Sequence, residues 1–144
     1  MPGPNKLLSW SKMFCWLAAG AKGLGYNFGE IKASSLSGFV YKDSSNNGIK
    51  NSSERGISGV QIKLTGVDDL GRSVCLTATT DCTGAYCFSN LRAGTYKIAE
   101  VQPCGYRDGL DTLGSLGGTL GADQFSNILV SIGVSGANYN FGER

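Results

Sequence analysis

From Asp43 to Glu54 the chain runs Asp-Ser-Ser-Asn-Asn-Gly-Ile-Lys-Asn-Ser-Ser-Glu. Side-chain oxygens fall at the first, third, fifth and ninth places, on Asp43, Ser45, Asn47 and Asn51. Gly48 stands sixth, where a sharp turn is needed, and Ile49 offers its carbonyl at the seventh. Glu54 stands twelfth, where a bidentate carboxylate closes the shell. A hard cation such as calcium needs many oxygens converging from one short turn, and this spacing supplies them. Only Asp43 and Glu54 carry charge, and Lys50 and Arg55 oppose the ion, so the affinity expected is weak, about 10⁻⁴–10⁻³ M. The same residues also suit a polar turn held by side-chain-to-backbone hydrogen bonds, and spacing does not choose between the two. A second acidic group, Asp108-Gly-Leu-Asp111 with Asp123, is a metal candidate if the chain folds back on itself, and a solvated loop if it does not.

The remaining chemistry is sparse. The chain has no histidine, which removes the commonest general base and zinc ligand. The reading is therefore non-catalytic. A net charge of +2, with no basic block, argues against nucleic acid as a partner. No apolar stretch approaches the ~20 residues of a membrane-spanning helix. The five cysteines, Cys15, Cys75, Cys82, Cys87 and Cys104, cannot all pair within one chain, and no Cys-x-x-Cys occurs. Cys82 and Cys87 flank a turn and could meet each other or Cys104. Cys75 and Cys87 are expected to be small buried hydrophobes.

The elements that position these residues read as strands. Ser37–Lys42 alternates, as does Gly59–Thr65, with Val60, Ile62 and Leu64 on one face and Gln61, Lys63 and Thr65 on the other. Ser73–Thr80 and Tyr86–Phe88 form the arms of a hairpin across Asp81–Gly84, and Thr95–Val101 puts Tyr96 and Ile98 on one face. Val67–Gly71 reads as a turn. Gln102–Gln124 is a long Gly- and Asp-rich loop, and Phe125–Ile132 and Ala137–Phe141 close the module. Seven short strands and no amphipathic helix predict an all-β, seven-stranded Greek-key sandwich.

Tyr26-Asn27-Phe28-Gly29-Glu30 recurs as Tyr139-Asn140-Phe141-Gly142-Glu143. On the same offset Gly20 falls on Gly133, Gly23 on Gly136, and Cys15-Trp16-Leu17 on Ile128-Leu129-Val130. The repeat predicts a disordered start or linker over 1–12, the tail strands of a truncated preceding copy with a linker over 13–34, and a complete module over 35–143. Met13–Ala21, an apolar run after Lys6 and Lys12, also has the form of a signal peptide. That alternative competes with the repeat.

Gly38-Phe-Val-Tyr-x-Asp43, Val60-x-Ile-x-Leu-Thr-Gly66, Thr80-Asp-x-x-Gly-x-Tyr-x-Phe88, Leu91-x-x-Gly-Thr-Tyr96, Glu100-x-Gln-Pro-x-Gly-Tyr106 and Asp108-Gly-x-Asp-Thr112 occur in that order. Together they resemble the SdrD B-like repeat of bacterial surface proteins, a relative of collagen-adhesin B-type domains. The resemblance implies a prealbumin (transthyretin)-like β-sandwich used in tandem as a spacer in secreted or cell-surface adhesins, with neighbouring repeats as partners. It implies calcium at Asp43, Asn47, Asn51 and Glu54. Related pilin and adhesin domains crosslink a first-strand Lys to a last-strand Asn beside a Glu; the matching positions are Lys42, Asn140 or Asn138, and Glu100. Lys42, next to the acidic loop, is expected to face solvent instead. An alternative function is a binding module for a glycan, host or matrix ligand acting through 102–124, where Tyr106, Leu110, Leu113 and Leu116 supply apolar surface.

Overall fold

The computed structural model describes residues 28–144. The expectations for residues 1–27, Cys15 and the signal-peptide alternative among them, lie outside the described residues. Ile31–Arg144 forms one compact unit; of the other, Met1–Glu30, the described residues 28–30 carry no regular structure.

The strands are β1 (Ser34–Lys42), β2 (Gln61–Asp68), β3 (Ser73–Thr79), β4 (Ala85–Leu91), β5 (Gly94–Glu100), β6 (Thr119–Gly121), β7 (Gln124–Val130), β8 (Ser135–Gly136) and β9 (Phe141–Glu143). They form two sheets of a sandwich. One has the order β4-β1-β8 with β9 also on β1, and the other β3-β2-β5-β7-β6. The expected alternation is observed: Val60, Ile62, Leu64, Tyr96 and Ile98 are buried, while Gln61, Lys63 and Thr65 are exposed. With Leu36, Val40, Tyr86, Phe88, Phe125, Ile128, Tyr139 and Phe141 they fill the space between the sheets.

Several boundaries differ from the sequence reading. Val67 and Asp68 belong to β2 rather than to a turn, because the buried Asp68 carboxylate organises the next residues itself, accepting from Leu70 N, Arg72 N and Arg72 Nε at 3.0 Å each. The expected closing strand Ala137–Phe141 is not one strand: only Phe141 lies in a strand, β9, and β8 comes just before the segment, both parallel to β1 with Ser135 opposite Ser35 and Phe141 opposite Val40. The loop 102–124 contains β6 and is bridged to the closing segment at Asp108–Glu143 and Thr112–Asn140. Between Phe125 and Ile128 β7 carries a bulge opposite β5, and there Asn127 takes a φ of 53°. Cys75 and Cys87 are not buried: they lie on outward positions of β3 and β4, and with Cys82 and Cys104 they are exposed free thiols.

Candidate metal centre

The first acidic loop leaves β1 at Asp43 and rejoins the sheet at Gly56. Its base is held by Lys42 N to Arg55 O and Ile57 N to Val40 O, both 2.8 Å. Within it, Asp43 is fully buried and accepts from Asn47 N at 3.1 Å and Gly48 N at 2.7 Å. Burial pushes its carboxyl up, but these amides and the Ser45 hydroxyl outweigh that and leave it below the usual range. Glu54 accepts from Asn51 N at 3.0 Å and Ser45 N at 3.2 Å, and these donors, Asn51 first, hold its carboxyl low. Ser45 Oγ lies 3.1 Å from Asp43 Oδ1 and 3.2 Å from Glu54 Oε1. The first, third and twelfth places of the loop therefore converge. Asn51 Nδ2 approaches Glu54 at 3.3 Å, while Asn47 Oδ1 accepts from Ile49 N at 2.9 Å, an exposed contact in the turn. Both loop carboxylates are already satisfied by their own backbone.

The second group is larger than its sequence suggests and differs electrostatically. Asp108, Asp111 and Asp123 come together, and Asp123 also belongs to a trio with Glu100 and Glu143. In each trio, one oxygen from every carboxylate lies within 4.8 Å of the others. Glu100 ends β5; the bulged β5–β7 pairing brings it beside Asp123, whose carbonyl accepts from Glu100 N at 2.9 Å. Glu143 comes from β9 and Asp108 bridges to it. Asp111 accepts from Gly142 N at 3.2 Å.

Four oxygens of this group lack donors. Both oxygens of Glu100, Oε1 of Glu143 and Oδ1 of Asp123 are buried without a hydrogen-bond partner. Gln102 Nε2 donates to the other Glu143 oxygen. Glu100 and Glu143 face each other, and their contact becomes a hydrogen bond only when one holds a proton. Burial, and then the charge of Glu143, push the Glu100 carboxyl up to about 10. Burial raises Asp111 to about 7 despite the Gly142 amide, and it raises Asp123 and Glu143 as well. A loop whose anions are satisfied by amides has no electrostatic deficit. Orphaned, clustered carboxylates do, and either a retained proton or a cation removes it. The acidic cluster can hold a metal ion.

The two groups are physically joined. Asp43 N donates to Glu143 O at 2.7 Å, and Thr112 Oγ1 donates to Gly48 O. The buried Tyr41 hydroxyl has no partner; burial raises its pKa first, then the charges of Asp43, Glu54 and Asp111.

Sequence reasoning found Asp108, Asp111 and Asp123 but not Glu100 and Glu143 as members of this cluster. The signal was present. Tyr96, Ile98 and Glu100 share the inward face of one strand, and an inward Glu needs a partner. The positions for a Lys–Asn crosslink do not assemble into a reactive trio. Lys42 is exposed, whereas Asn140 is buried with its Oδ1 accepting from Phe39 N at 2.9 Å, and Glu100 belongs to the carboxylate cluster. Of the apolar residues in 102–124, Tyr106, Leu113 and Leu116 pack against the core, which leaves Leu110 and Leu120 exposed.

The family model for the SdrD B-like domain matches residues 34–124. The chain is 36% identical over 99 residues to serine-aspartate repeat-containing protein D of Staphylococcus aureus (strain Newman), covering 69% of this chain and 7% of that protein. It is 40% identical over 78 residues to serine-aspartate repeat-containing protein I of Staphylococcus saprophyticus, covering 54% of this chain and 4% of that protein. Among solved structures it is similar to GBS52, the minor pilin of Streptococcus agalactiae, with a TM-score of 0.48, 13% identity, and coverage of 79% of this chain and 46% of that one. It is also similar to the major pilin SpaD of Corynebacterium diphtheriae, with a TM-score of 0.44, 16% identity, and coverage of 85% of this chain and 34% of that one.

Proposed function

The chain belongs to the SdrD B-like domain family, and on that premise we propose that residues 35–143 form a spacer repeat of a secreted or cell-surface adhesin-type protein, rigidified by calcium. The family is non-catalytic, and the role rests on shape. The observation that carries it is the direction of β9, which runs parallel to β1 with Glu143 opposite Lys42. The chain therefore begins the module at Ser34 and leaves it beside the far end of the same strand. Eight residue steps at about 3.3 Å separate the two ends by about 26 Å. A module with its ends at opposite poles extends an array with each copy, whereas adjacent ends would fold it back. Neighbouring repeats are its partners.

Calcium enters this reading through the two acidic groups. Asp43, Ser45, Asn47, Asn51, Glu54 and the Ile49 carbonyl would hold one ion in the loop. Asp108, Asp111 and Asp123, with Glu100 and Glu143, would hold cation charge in the cluster. An ion there would supply neutralisation, and its holders Glu100, Glu143, Asp108, Asp111 and Asp123 come from β5, β9 and the loop 102–124. The orphaned carboxylate oxygens support this part of the reading.

Small-angle scattering on one-module and two-module chains tests the spacer. Each added copy lengthens the particle by about 30–40 Å, the strand span plus a few linker residues. An unchanged maximum dimension rejects the spacer. Melting in calcium and in chelator tests the ion, because a ligand of the folded state must raise the midpoint. Equal midpoints remove calcium and leave the spacer standing.

A further inference from the structure

β3 is a free edge of the five-stranded sheet: among the described residues it pairs with β2 alone. Its register on β2 runs unbroken from Gln61 opposite Thr79 to Val67 opposite Ser73. Asp68 N donates to Arg72 O at 3.0 Å and Thr80 N to Val60 O at 2.9 Å, so the even-numbered residues bond to β2. Ser73, Cys75, Thr77 and Thr79, all exposed, therefore turn their amides and carbonyls away from the sheet. Natural sheets blunt such an edge with a Lys, a Pro or a bulge, and β3 has none of these. The edge strand of the other sheet, β4, is irregular opposite Ser34–Leu36, with Asn90 at a φ of 58°.

The strand is also complementary to itself. Ser73 to Thr80 carries no charge, with Arg72 before it and Asp81 after it. The Arg72 side chain is 61% exposed beside Asp68, and Asp81 is exposed. Leu76 shares the inward face with Val74 and Ala78, which pack against the core, yet it is 42% exposed, so the facing sheet leaves it uncovered. Two β3 strands set antiparallel about Leu76 place Ser73 opposite Thr79 and Cys75 opposite Thr77 as hydrogen-bonded pairs. The same register sets Leu76 against Leu76 and Val74 against Ala78 as the closer pairs, with Cα atoms about 4.5 Å apart. Arg72 of each copy then stands opposite Thr80 of the other, one step from its Asp81. We propose that the free edge of β3 is a self-pairing surface, on which a second copy of this chain docks antiparallel with the two-fold axis at Leu76. A ladder of 7 residues buries less than the about 1,200 Å² of a standard interface, so the dimer is weak and forms where copies are crowded.

Sedimentation velocity on the full chain, in reductant so that the exposed thiols stay free, follows the mass from about 10 μM to about 1 mM. The mass rises toward that of a dimer, and amide exchange at Ser73, Cys75, Thr77 and Thr79 slows over the same range. Leu76→Lys sets two ammonium groups against each other at the axis and weakens the dimer by about tenfold or more. Thr77→Pro removes an outward amide that takes no part in the β2 ladder, and it weakens the dimer by about as much. Should one of these variants fail to fold, the other carries the test. Leu129→Lys, at an exposed apolar residue of β7, leaves the dimer unchanged. A mass that stays monomeric to about 1 mM overturns the proposal. So does a dimer in which those four amides exchange freely, one that neither β3 variant weakens, or one that Leu129→Lys weakens as much as Leu76→Lys does.

Discussion

Replacing Glu100 with Gln has opposite effects with and without calcium, and the size of the metal-free effect follows from the cluster. In the folded protein burial and Glu143 push the Glu100 carboxyl from 4.5 up to about 10, so at pH 7 it keeps its proton. The unfolded chain releases that proton above pH 4.5. The folded state thus holds more protons between these values, and stability falls as pH rises through the interval. At about 1.4 kcal/mol per pH unit, the climb from 4.5 to 7 costs the ion-free protein about 3 kcal/mol as an upper bound. Gln, neutral throughout, removes the cost, and its amide can donate to the orphaned Glu143 oxygen. Urea unfolding in chelator at pH 7 therefore shows E100Q more stable than the parent by about 1–3 kcal/mol, a gain that vanishes toward pH 4.5. Under the proposed calcium reading the sign reverses in saturating calcium, because the variant offers one carboxylate fewer and calcium raises its midpoint less. Equal destabilisation at pH 5 and pH 7 in chelator would refute the reasoning, since it would mean that folding favours the ionised carboxylate.

Other substitutions test the parts that hold the cluster in place. Gly142→Ala forces a methyl against Leu110 O and displaces β9, costing on the order of 3 kcal/mol by urea denaturation. Tyr86→Phe leaves the Tyr139 carbonyl without its 2.6 Å donor and lowers stability by about 1–2 kcal/mol. A thiol reagent titrates Cys75, Cys82, Cys87 and Cys104 in the folded protein without denaturant, since all four are exposed and free. Intact mass shows no loss of ammonia, a deficit of roughly 17 Da, because exposed Lys42 is not held in a buried site for attack on an amide.

How legible each feature was depended on whether its cause is local. The alternation in 60–65 and 95–101 states which face is buried, because a pleated strand has a period of two and no remote partner alters it. The convergence of Asp43, Ser45 and Glu54 in the first acidic loop was visible for the same reason: all three lie within one short loop. The second group was half visible. Asp108 and Asp111 share a motif, but Glu100 and Glu143 reach Asp123 only after β5 pairs with β7 and β9 lies along β1, contacts set by topology. The exposure of Cys75 and Cys87 failed for a related reason. Cysteine's usual preference for burial was given more weight than register, although Cys87 lies between inward Tyr86 and Phe88 and must point outward. The closing strand was misplaced because Tyr139 and Asn140 are held by single contacts to Ser37 and Phe39 and an isolated bridge to Thr112 rather than by a continuous ladder.

The parallel pairing of β9 with β1 has a mechanical meaning. Tension applied along an array pulls Ser34 away from one end of the module and Glu143 away from the other, so the load runs along both strands in opposite senses. Parallel strands loaded this way slide past each other, and their cross-links must fail together rather than one at a time as in a hairpin being unzipped. Those cross-links include the Asp43 amide on the Glu143 carbonyl, the Phe39 amide on Asn140 and the Tyr139 amide on the Ser37 carbonyl, at 2.7, 2.9 and 3.2 Å. Resistance to pulling is governed by the barrier to that first slip rather than by the equilibrium stability of the fold. A cation at the Glu143 cluster would bear on the strand that carries the force.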